Sequence, residues 1–445
     1  MLGNIYTNII RRKVMINKLK ITKLFGRFDY DLILEDKQIV ILTGPNGYGK
    51  STILRIIQVI MNKKMSVIGK LKFFVQLDFE IIEAVLSGNS STWKIQKFED
   101  SLAINEIKLP LDIFDEVFMR TPSRLMKKYN EEFIYDTAIS NNYRELIFSQ
   151  EHFRPFDTNH DDFLLGNAPR TVRKNLERIK QILNEATGPV YFIKEQRLLK
   201  PKRFKKGEDE VVNVIEDLPN SFKELINDIS SNYSAIANDL DSSYPNRLFN
   251  TDKGINKSEY ETKMEEMFQK FEKLRKYNIS DMNQSENVVY KEEHSKALKI
   301  YFEDFDKKYE VYEDFITKLD LFTDIVNSRL LFKQVKLNRE NGILIVDENG
   351  TNKDMRLASL SSGEKQVIIL FYQLIFESDS EILLLIDEPE ISLHIMWQKQ
   401  FMGDMLKVAE YKNQKVIIAT HSPQILNNHW EFQIDLGELY NAQFN

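Results

Sequence analysis

The stretch Gly44-Pro45-Asn46-Gly47-Tyr48-Gly49-Lys50-Ser51-Thr52 concentrates chemistry that few residues can supply. Glycines let successive backbone N–H groups turn toward one point, a lysine adds a positive charge, and two hydroxyls follow. An apolar run, Ile39-Val40-Ile41-Leu42, precedes it, and Ile53-Leu54-Arg55-Ile56-Ile57 follows with helical apolar spacing. Strand, glycine-rich loop and helix form the context in which Gly-x4-Gly-Lys-Ser cradles a phosphate chain at a helix N-terminus. In such a loop Lys50 reaches the β- and γ-phosphates and the Ser51 hydroxyl sits on magnesium. The pattern implies binding of a nucleoside triphosphate.

Three further stretches carry chemistry. Ile382-Leu383-Leu384-Leu385-Ile386 is a wholly apolar strand that ends in Asp387-Glu388-Pro389-Glu390. A buried parallel strand would deliver Asp387 to magnesium-bound water and place Glu388 to polarise an attacking water; the alternative is a solvated acidic turn. Val416-Ile417-Ile418-Ala419-Thr420 is a second core strand, with His421 at its carboxyl end, where ligands bind in open α/β sheets. Leu360-Ser361-Ser362-Gly363-Glu364-Lys365-Gln366 opens a helix with small residues, which makes either an anion site or a plain helix cap. Ser362 with Lys365 three residues on is not a capping box.

The elements that must position these residues read as follows. Short strands are expected at Ile16–Ile21, Phe28–Leu34 and Gln38–Leu42, a helix at 51–62, and a strand at 71–77 from its alternation. Within 85–185, Trp93–Gln96 and Ile104–Leu109 look like strands and Thr171–Asn184 like a helix; no chemistry is assigned there. Val190–Ile193 reads as a buried strand. Arg197, Lys200, Lys202, Arg203, Lys205 and Lys206 then form a basic cluster, which is either a solvated loop or a contact for a phosphate backbone. In 213–332, Tyr260, Met264, Met267, Phe271 and Leu274 repeat with 4-3 spacing. After a polar break at 280–287 the pattern resumes in Leu298, Phe302, Phe305, Tyr309, Tyr312, Ile316 and Leu319. Two heptad stretches around a short loop predict an antiparallel helical hairpin, its second helix ~60 Å long if it spans 292–332. The aromatic residues at core positions favour a short projection over a long coiled coil. A hairpin (Val335–Leu337, Ile343–Val346) and alternating helices and strands complete the chain.

Composition narrows the field. The 445 residues suffice for two or three domains, and 42% hydrophobic with 29% charged residues describes a soluble globular chain. Apolar runs are shorter than the ~20 residues of a membrane span, and no secretory pattern opens the chain. With no cysteine there are no disulfides, thiolate metal sites or cysteine nucleophiles, and a cytoplasmic location is expected. A net charge of −6 leaves any nucleic-acid contact to a local basic patch.

Taken together the motifs resemble those of ABC-type AAA ATPases, the group with RecF, SMC-like and OLD-type members. The resemblance covers about 16–62, 188–205 and 335–436. It matches Gly44–Thr52 to the Walker A loop, Leu360–Gln366 to the signature, Ile382–Glu388 to Walker B, Ser392-Leu393-His394 to the D-loop and His421 to the switch histidine. The implied fold is an α/β P-loop head with a mixed core sheet and an inserted helical subdomain. Its lobes would be 1–210 and 333–445, with the insertion at 211–332. The resemblance also implies a head-to-tail homodimer around two ATP molecules. Lys50, Ser51, Asp387, Glu388 and His421 of one copy would face Ser361, Ser362, Gly363 and Glu364 of the other. Magnesium would be held by Ser51, Asp387 and a Q-loop glutamine, for which Gln196 is the candidate and Gln76 and Gln150 are competitors. Ser362 departs from the usual Leu-Ser-Gly-Gly pattern.

A narrower resemblance joins Asp239–Arg247, Leu360–Lys365, Asp387–His394 with Trp397-Gln398, and Thr420–Ile425 with Trp430 to the ATPase subunits of Septu-type and retron-associated anti-phage systems. It implies a slow ATPase controlling a separate nuclease, commonly of HNH type, with no nuclease site of its own. Only 24 residues follow His421, where an OLD-type enzyme would continue into a TOPRIM nuclease. The alternative is a genome-maintenance ATPase of RecF or SMC-like type acting directly on DNA, with the Lys200–Lys206 patch as a possible contact.

Overall fold

The computed structural model describes residues 15–35, 37–87, 92–112, 169–185, 187–203, 209–279, 289–347 and 356–442. The chain divides into two units. One holds residues up to Glu195 with Asp379–Glu390 and Gln398–Asn445; the other holds Gln196–Ser378 and Ile391–Trp397.

The first unit is built on a five-stranded, all-parallel sheet. Its strands are β3 (Ile39–Thr43), β8 (Val190–Ile193), β13 (Leu383–Asp387), β14 (Lys415–Ala419) and β15 (Gln433–Asp435). They lie in the order β15-β3-β14-β13-β8. Every residue of β3 and β13 is buried, which explains why both read as unbroken apolar runs rather than alternating ones. The register aligns Asp387 with Ala419, Ala419 with Leu42, and Asp435 with Thr43. Four strands therefore end together, and the loops carrying Gly44–Gly49, Glu388–Glu390 and Thr420–Ser422 leave the same edge. Helix α1 (Lys50–Met61) covers this sheet, burying Ile53, Leu54, Ile56, Ile57 and Ile60.

A second, antiparallel sheet comprises β1 (Ile16–Leu24), β2 (Phe28–Ile33), β4 (Ile81–Leu86), β5 (Thr92–Lys97), β6 (Ser101–Ile104) and β7 (Ile107–Pro110). Its order is β2-β1-β4-β5-β6-β7. β2 alternates strictly between buried and exposed. The expected strand at Ile104–Leu109 is instead a tight hairpin, broken at Asn105, whose φ is +52°. The expected strand at 71–77 is helix α2 (Val67–Gln76). Ser66 caps it through Gly69 N–H at 3.0 Å, and Ile68, Leu71 and Phe74 bury one face at three-residue spacing, so the local alternation was coincidental. Helix α3 (Arg170–Glu185) packs against β7 and α2.

The second unit holds a hairpin of β9 (Leu199–Arg203) with β10 (Asp209–Asn213), three long helices, and a hairpin of β11 (Lys333–Asn338) with β12 (Gly342–Asp347). The helices are α4 (Val214–Phe249), α5 (Lys257–Tyr277) and α6 (Ser295–Asn327). The heptad residues are largely buried as expected, but the direction of pairing differs. Tyr260 meets Phe302, Lys270 pairs with Asp306, and Lys276 pairs with Asp320. α5 thus runs parallel to α6. The antiparallel partner of α6 is α4: Phe222 meets Phe322, Tyr233 meets Tyr312, and Arg247 pairs with Asp304. Heptads report which faces meet, not in which direction. The polar break itself lies outside the described residues. α6 has 33 residues, about 50 Å, somewhat shorter than expected. Phe222, Phe322, Tyr372 and Phe376 interlock at the base of these helices.

The Asp239–Arg247 stretch ends α4 in an ion pair. Arg247 donates from both terminal nitrogens to Asp304, at 2.5 and 2.8 Å, and also to the Leu240 carbonyl. The Asp304 side chain is only 12% exposed. Asp304→Ala should therefore cost about 3 kcal/mol in urea unfolding, the low end for a buried pair. Replacing both partners together should cost less than the single change.

Candidate functional site

The carboxyl edge of the parallel sheet gathers Lys50, Ser51, Asp387, Glu388 and His421. Gly49 precedes α1 with φ at +82°, and a Cβ there would lie 2.9 Å from the Leu24 side chain, so only glycine fits. Behind it, the Tyr48 ring packs on Phe28 and Tyr440, and the Tyr30 hydroxyl donates to the Tyr48 carbonyl at 2.8 Å. The loop backbone is held from below.

Lys50 is 4% exposed, and its Nζ donates to the carbonyls of Gly44 (2.8 Å) and Pro45 (3.2 Å) and to His421 Nδ1 (3.0 Å). Because Nδ1 accepts from an ammonium, the network assigns the imidazole proton to Nε2, which lies 3.1 Å from Glu388 Oε1. Burial, with the Lys50 charge beside it, lowers the His421 pKa, which favours the neutral ring. Burial likewise lowers Lys50, against the pull of Glu388, Glu390 and Asp387.

Two carboxylates face this cation. Ser51 Oγ donates to Asp387 Oδ1 at 2.9 Å, so a hydroxyl and a carboxylate converge at the start of α1. Burial raises the Asp387 pKa. Glu388 sits at φ +45°, a left-handed conformation rare outside glycine, pinned by its N–H donating to the Ala419 carbonyl at 2.9 Å. Such local strain collects where a side chain must be aimed. Burial pushes the Glu388 carboxyl up to about 8, with Glu390 and Asp387 adding to the rise and Lys50 opposing it.

Oxygen donors on Ser51 and Asp387 suit a hard divalent cation that takes its remaining ligands from phosphate and water. Among the described residues no group of three His, Cys, Asp or Glu forms an all-protein cage. Magnesium fits this donor set. Of the glutamine candidates, Gln196 belongs to the second unit, where its Oε1 accepts Leu198 N–H at 3.1 Å. Gln76 ends α2, and Gln150 lies outside the described residues.

The signature stretch lies in the second unit at the start of α7 (Ser362–Tyr372). A capping box does form there, one residue earlier than Ser362 and Lys365. Ser361 Oγ accepts Glu364 N–H at 3.3 Å, and Ser361 N–H donates to Glu364 Oε2 at 2.9 Å. Burial would raise the Glu364 carboxyl, but Lys333, at 2.9 Å, and Ser361 outweigh it and lower the pKa. With its carboxylate so engaged, the exposed group at the helix start is the Ser361–Ser362 pair. Ser362 has no positive φ, so the missing glycine strains nothing. Gly363 is different: a Cβ there would sit 2.8 Å from the Ser392 carbonyl oxygen and 3.2 Å from the Trp397 ring, which makes the Ser392–Trp397 stretch its packing partner.

Two further roles are not apparent from the motifs. Glu390 gathers three hydrogen bonds from Thr420–Ser422. Asp435 accepts from Thr43 Oγ1 at 3.2 Å and caps the short helix Leu436–Asn441 through Gly437 N–H at 2.7 Å, so β15 and this helix brace the phosphate loop. An Asp before Leu-Gly-Glu is a cap signal; its bond to Thr43 has no local signature. The basic cluster also resolves differently. Arg197 is buried, at 2% exposure, and 199–203 form β9 rather than a loop; Lys205 and Lys206 lie outside the described residues.

The AAA ATPase domain model matches residues 15–426, nearly the whole chain. The chain belongs to the AAA ATPase family. This AAA ATPase therefore binds and hydrolyses ATP. Among solved structures it is similar to the Smc head domain with an extended coiled coil bound to the C-terminal domain of ScpA, derived from Pyrococcus furiosus, at 14% identity over 93% of this chain and 92% of that one, with a TM-score of 0.36. An SMC head bound to the C-winged helix domain of ScpA gives 12% identity, 93% and 91% coverage and 0.36. The SMC head domain from Thermotoga maritima gives 11%, 92% and 90%, and 0.32. No curated protein matches the chain. No helix among the described residues of the AAA ATPase is long and apolar enough to cross a membrane.

Proposed function

We propose that the protein is an ATP-gated switch that closes head-to-tail as a homodimer and passes that closure to a separate effector. The convergence of Lys50, Ser51, Asp387, Glu388 and His421 at one sheet edge carries this reading. Lys50 holds the β- and γ-phosphate oxygens, Glu388 accepts the proton of the attacking water, and His421 orients the γ-phosphate through a polar contact. Ser51 and Asp387 would hold magnesium, which would supply positive charge against the charge developing on the phosphate. The exposed Ser361–Ser362 helix start of a second copy supplies the missing wall of the site. An intact γ-phosphate bridges two copies, and its loss releases them, which provides the two states a switch needs.

The composite site has a direct test. Lys50→Ala and Ser361→Arg should each be inactive alone, yet regain part of the wild-type ATPase rate when mixed, because a heterodimer restores one complete site. A mixture as inactive as its components would sink the shared-site reading.

The effector we propose is a nuclease, in an anti-phage role, on the strength of the Asp239–Arg247 and Asp387–His394 motifs. Co-purification with a nuclease encoded alongside supports it. One observation favours the second reading, direct action on DNA: Arg170, Arg173, Lys174, Arg178 and Lys180 line the exposed face of α3. ATP-dependent, salt-sensitive duplex binding by the isolated protein would decide for that reading.

A further inference from the structure

We infer that Glu390 is a positioning residue for hydrolysis: it ties the histidine loop to the acidic turn after β13 and so aims His421. The inference rests on the reading of His421 and Glu388 as groups that act at the γ-phosphate. One carboxylate oxygen, Oε1, accepts from Thr420 Oγ1 at 2.5 Å, from His421 N–H at 2.7 Å and from Ser422 N–H at 3.0 Å. Three donors from three successive residues on one oxygen fix the loop's path, not just one contact. Thr420 is fully buried, and its N–H donates to the Leu42 carbonyl, so the clamped loop is also tied to the strand that feeds the phosphate loop.

The far side of the loop is held independently. Ser422 Oγ donates to Gln398 Oε1 at 2.6 Å and accepts Gln424 N–H at 3.2 Å. Between these anchors the His421 ring has one course, with Nδ1 at Lys50 and Nε2 at Glu388. On the other side, Glu388 is held by Ala419, the residue just before Thr420, and Pro389 limits the backbone leading to Glu390. The acidic turn and the histidine loop are therefore crosslinked twice, once through backbone and once through Glu390. A shift of about 1 Å in a reacting group can cost about 10²-fold in rate, which sets the scale for losing the second crosslink.

Glu390 Oε2 sharpens the test, because it is buried and Glu390 also hydrogen-bonds with the Glu388 carboxyl. The clamp needs only the acceptor Oε1. Glutamine retains that acceptor, whereas alanine removes it and aspartate is too short to span the same gap.

Steady-state ATPase kinetics and ATP affinity should be measured on the full chain carrying Glu390→Ala, Glu390→Gln, His421→Ala and the Glu390→Ala/His421→Ala pair. Glu390→Ala should lower kcat about 10-fold or more with ATP affinity within about 3-fold, and Glu390→Gln should recover most of the loss. On a His421→Ala background, Glu390→Ala should cost little more, since both act through one ring. Wild-type kcat in Glu390→Ala overturns the inference. So does a loss that multiplies fully with His421→Ala, or a joint fall in affinity, kcat and thermal stability that glutamine does not rescue. If His421→Ala itself turns over like wild type, the underlying site reading has failed instead.

Discussion

Glu388→Gln should bind ATP about as tightly as wild type and lose turnover by about 10²-fold or more, the range of a missing general base. Glutamine preserves the shape of the side chain and can still meet His421 Nε2, which lies 3.1 Å from Glu388 Oε1, while it cannot accept a proton from water. The variant should accumulate as an ATP-dependent dimer in size-exclusion chromatography. Turnover near wild type would remove Glu388 from the role of base. The same variant has a stability signature. The Glu388 carboxyl stands at about 8 against an ordinary 4.5, chiefly through burial. Between those values the native state holds a proton that the unfolded chain releases, so this group makes stability fall as pH rises from 4.5 to 8. Without nucleotide, Glu388→Gln should gain in melting temperature over wild type toward pH 8, and the gain should vanish near pH 4.5. A difference that does not change with pH would contradict this assignment.

Lys50→Ala should raise the Kd for ATP by at least about 10², because the bonds it makes to phosphate are charge-assisted, each about 1.5–3 kcal/mol. The loss is compounded in the protein itself. Nζ is shared by the carbonyls of Gly44 and Pro45 and by His421 Nδ1, so its removal leaves three acceptors without their donor and loosens the loop that should receive the nucleotide. Lys50→Arg is expected to fail as well, since a planar guanidinium does not fit a point-charge site that is 4% exposed. Titration with a fluorescent ATP analogue measures both variants, and wild-type affinity in Lys50→Ala would refute the phosphate-loop assignment.

Much of the fold and of the site is legible in the amino-acid sequence, because some constraints are local. A wholly buried parallel strand must be continuously apolar, so Ile382–Ile386 and Val416–Ala419 announce both the sheet and the edge at which their polar successors emerge. A phosphate loop must have its glycines, lysine and serine at fixed offsets, so Gly44–Ser51 announces its ligand. Other features depend on partners remote in sequence, and only the tertiary structure decided them. Leu71–Leu77 alternates like a strand, yet the Ser66 cap and the burial of Ile68, Leu71 and Phe74 make most of it helix. The heptads of α5 and α6 mark mating faces, but only Tyr260 with Phe302 and Lys276 with Asp320 reveal that the helices run parallel. Gly363 is tight because of Ser392 and Trp397, and Asp435 matters because of Thr43. Sequence alone determined which groups could do chemistry, since reactivity is a property of residue types at short spacing. The tertiary structure decided how they are aimed: Glu388 in a left-handed turn and His421 between Lys50 and Glu388, because direction comes from contacts between residues remote in sequence.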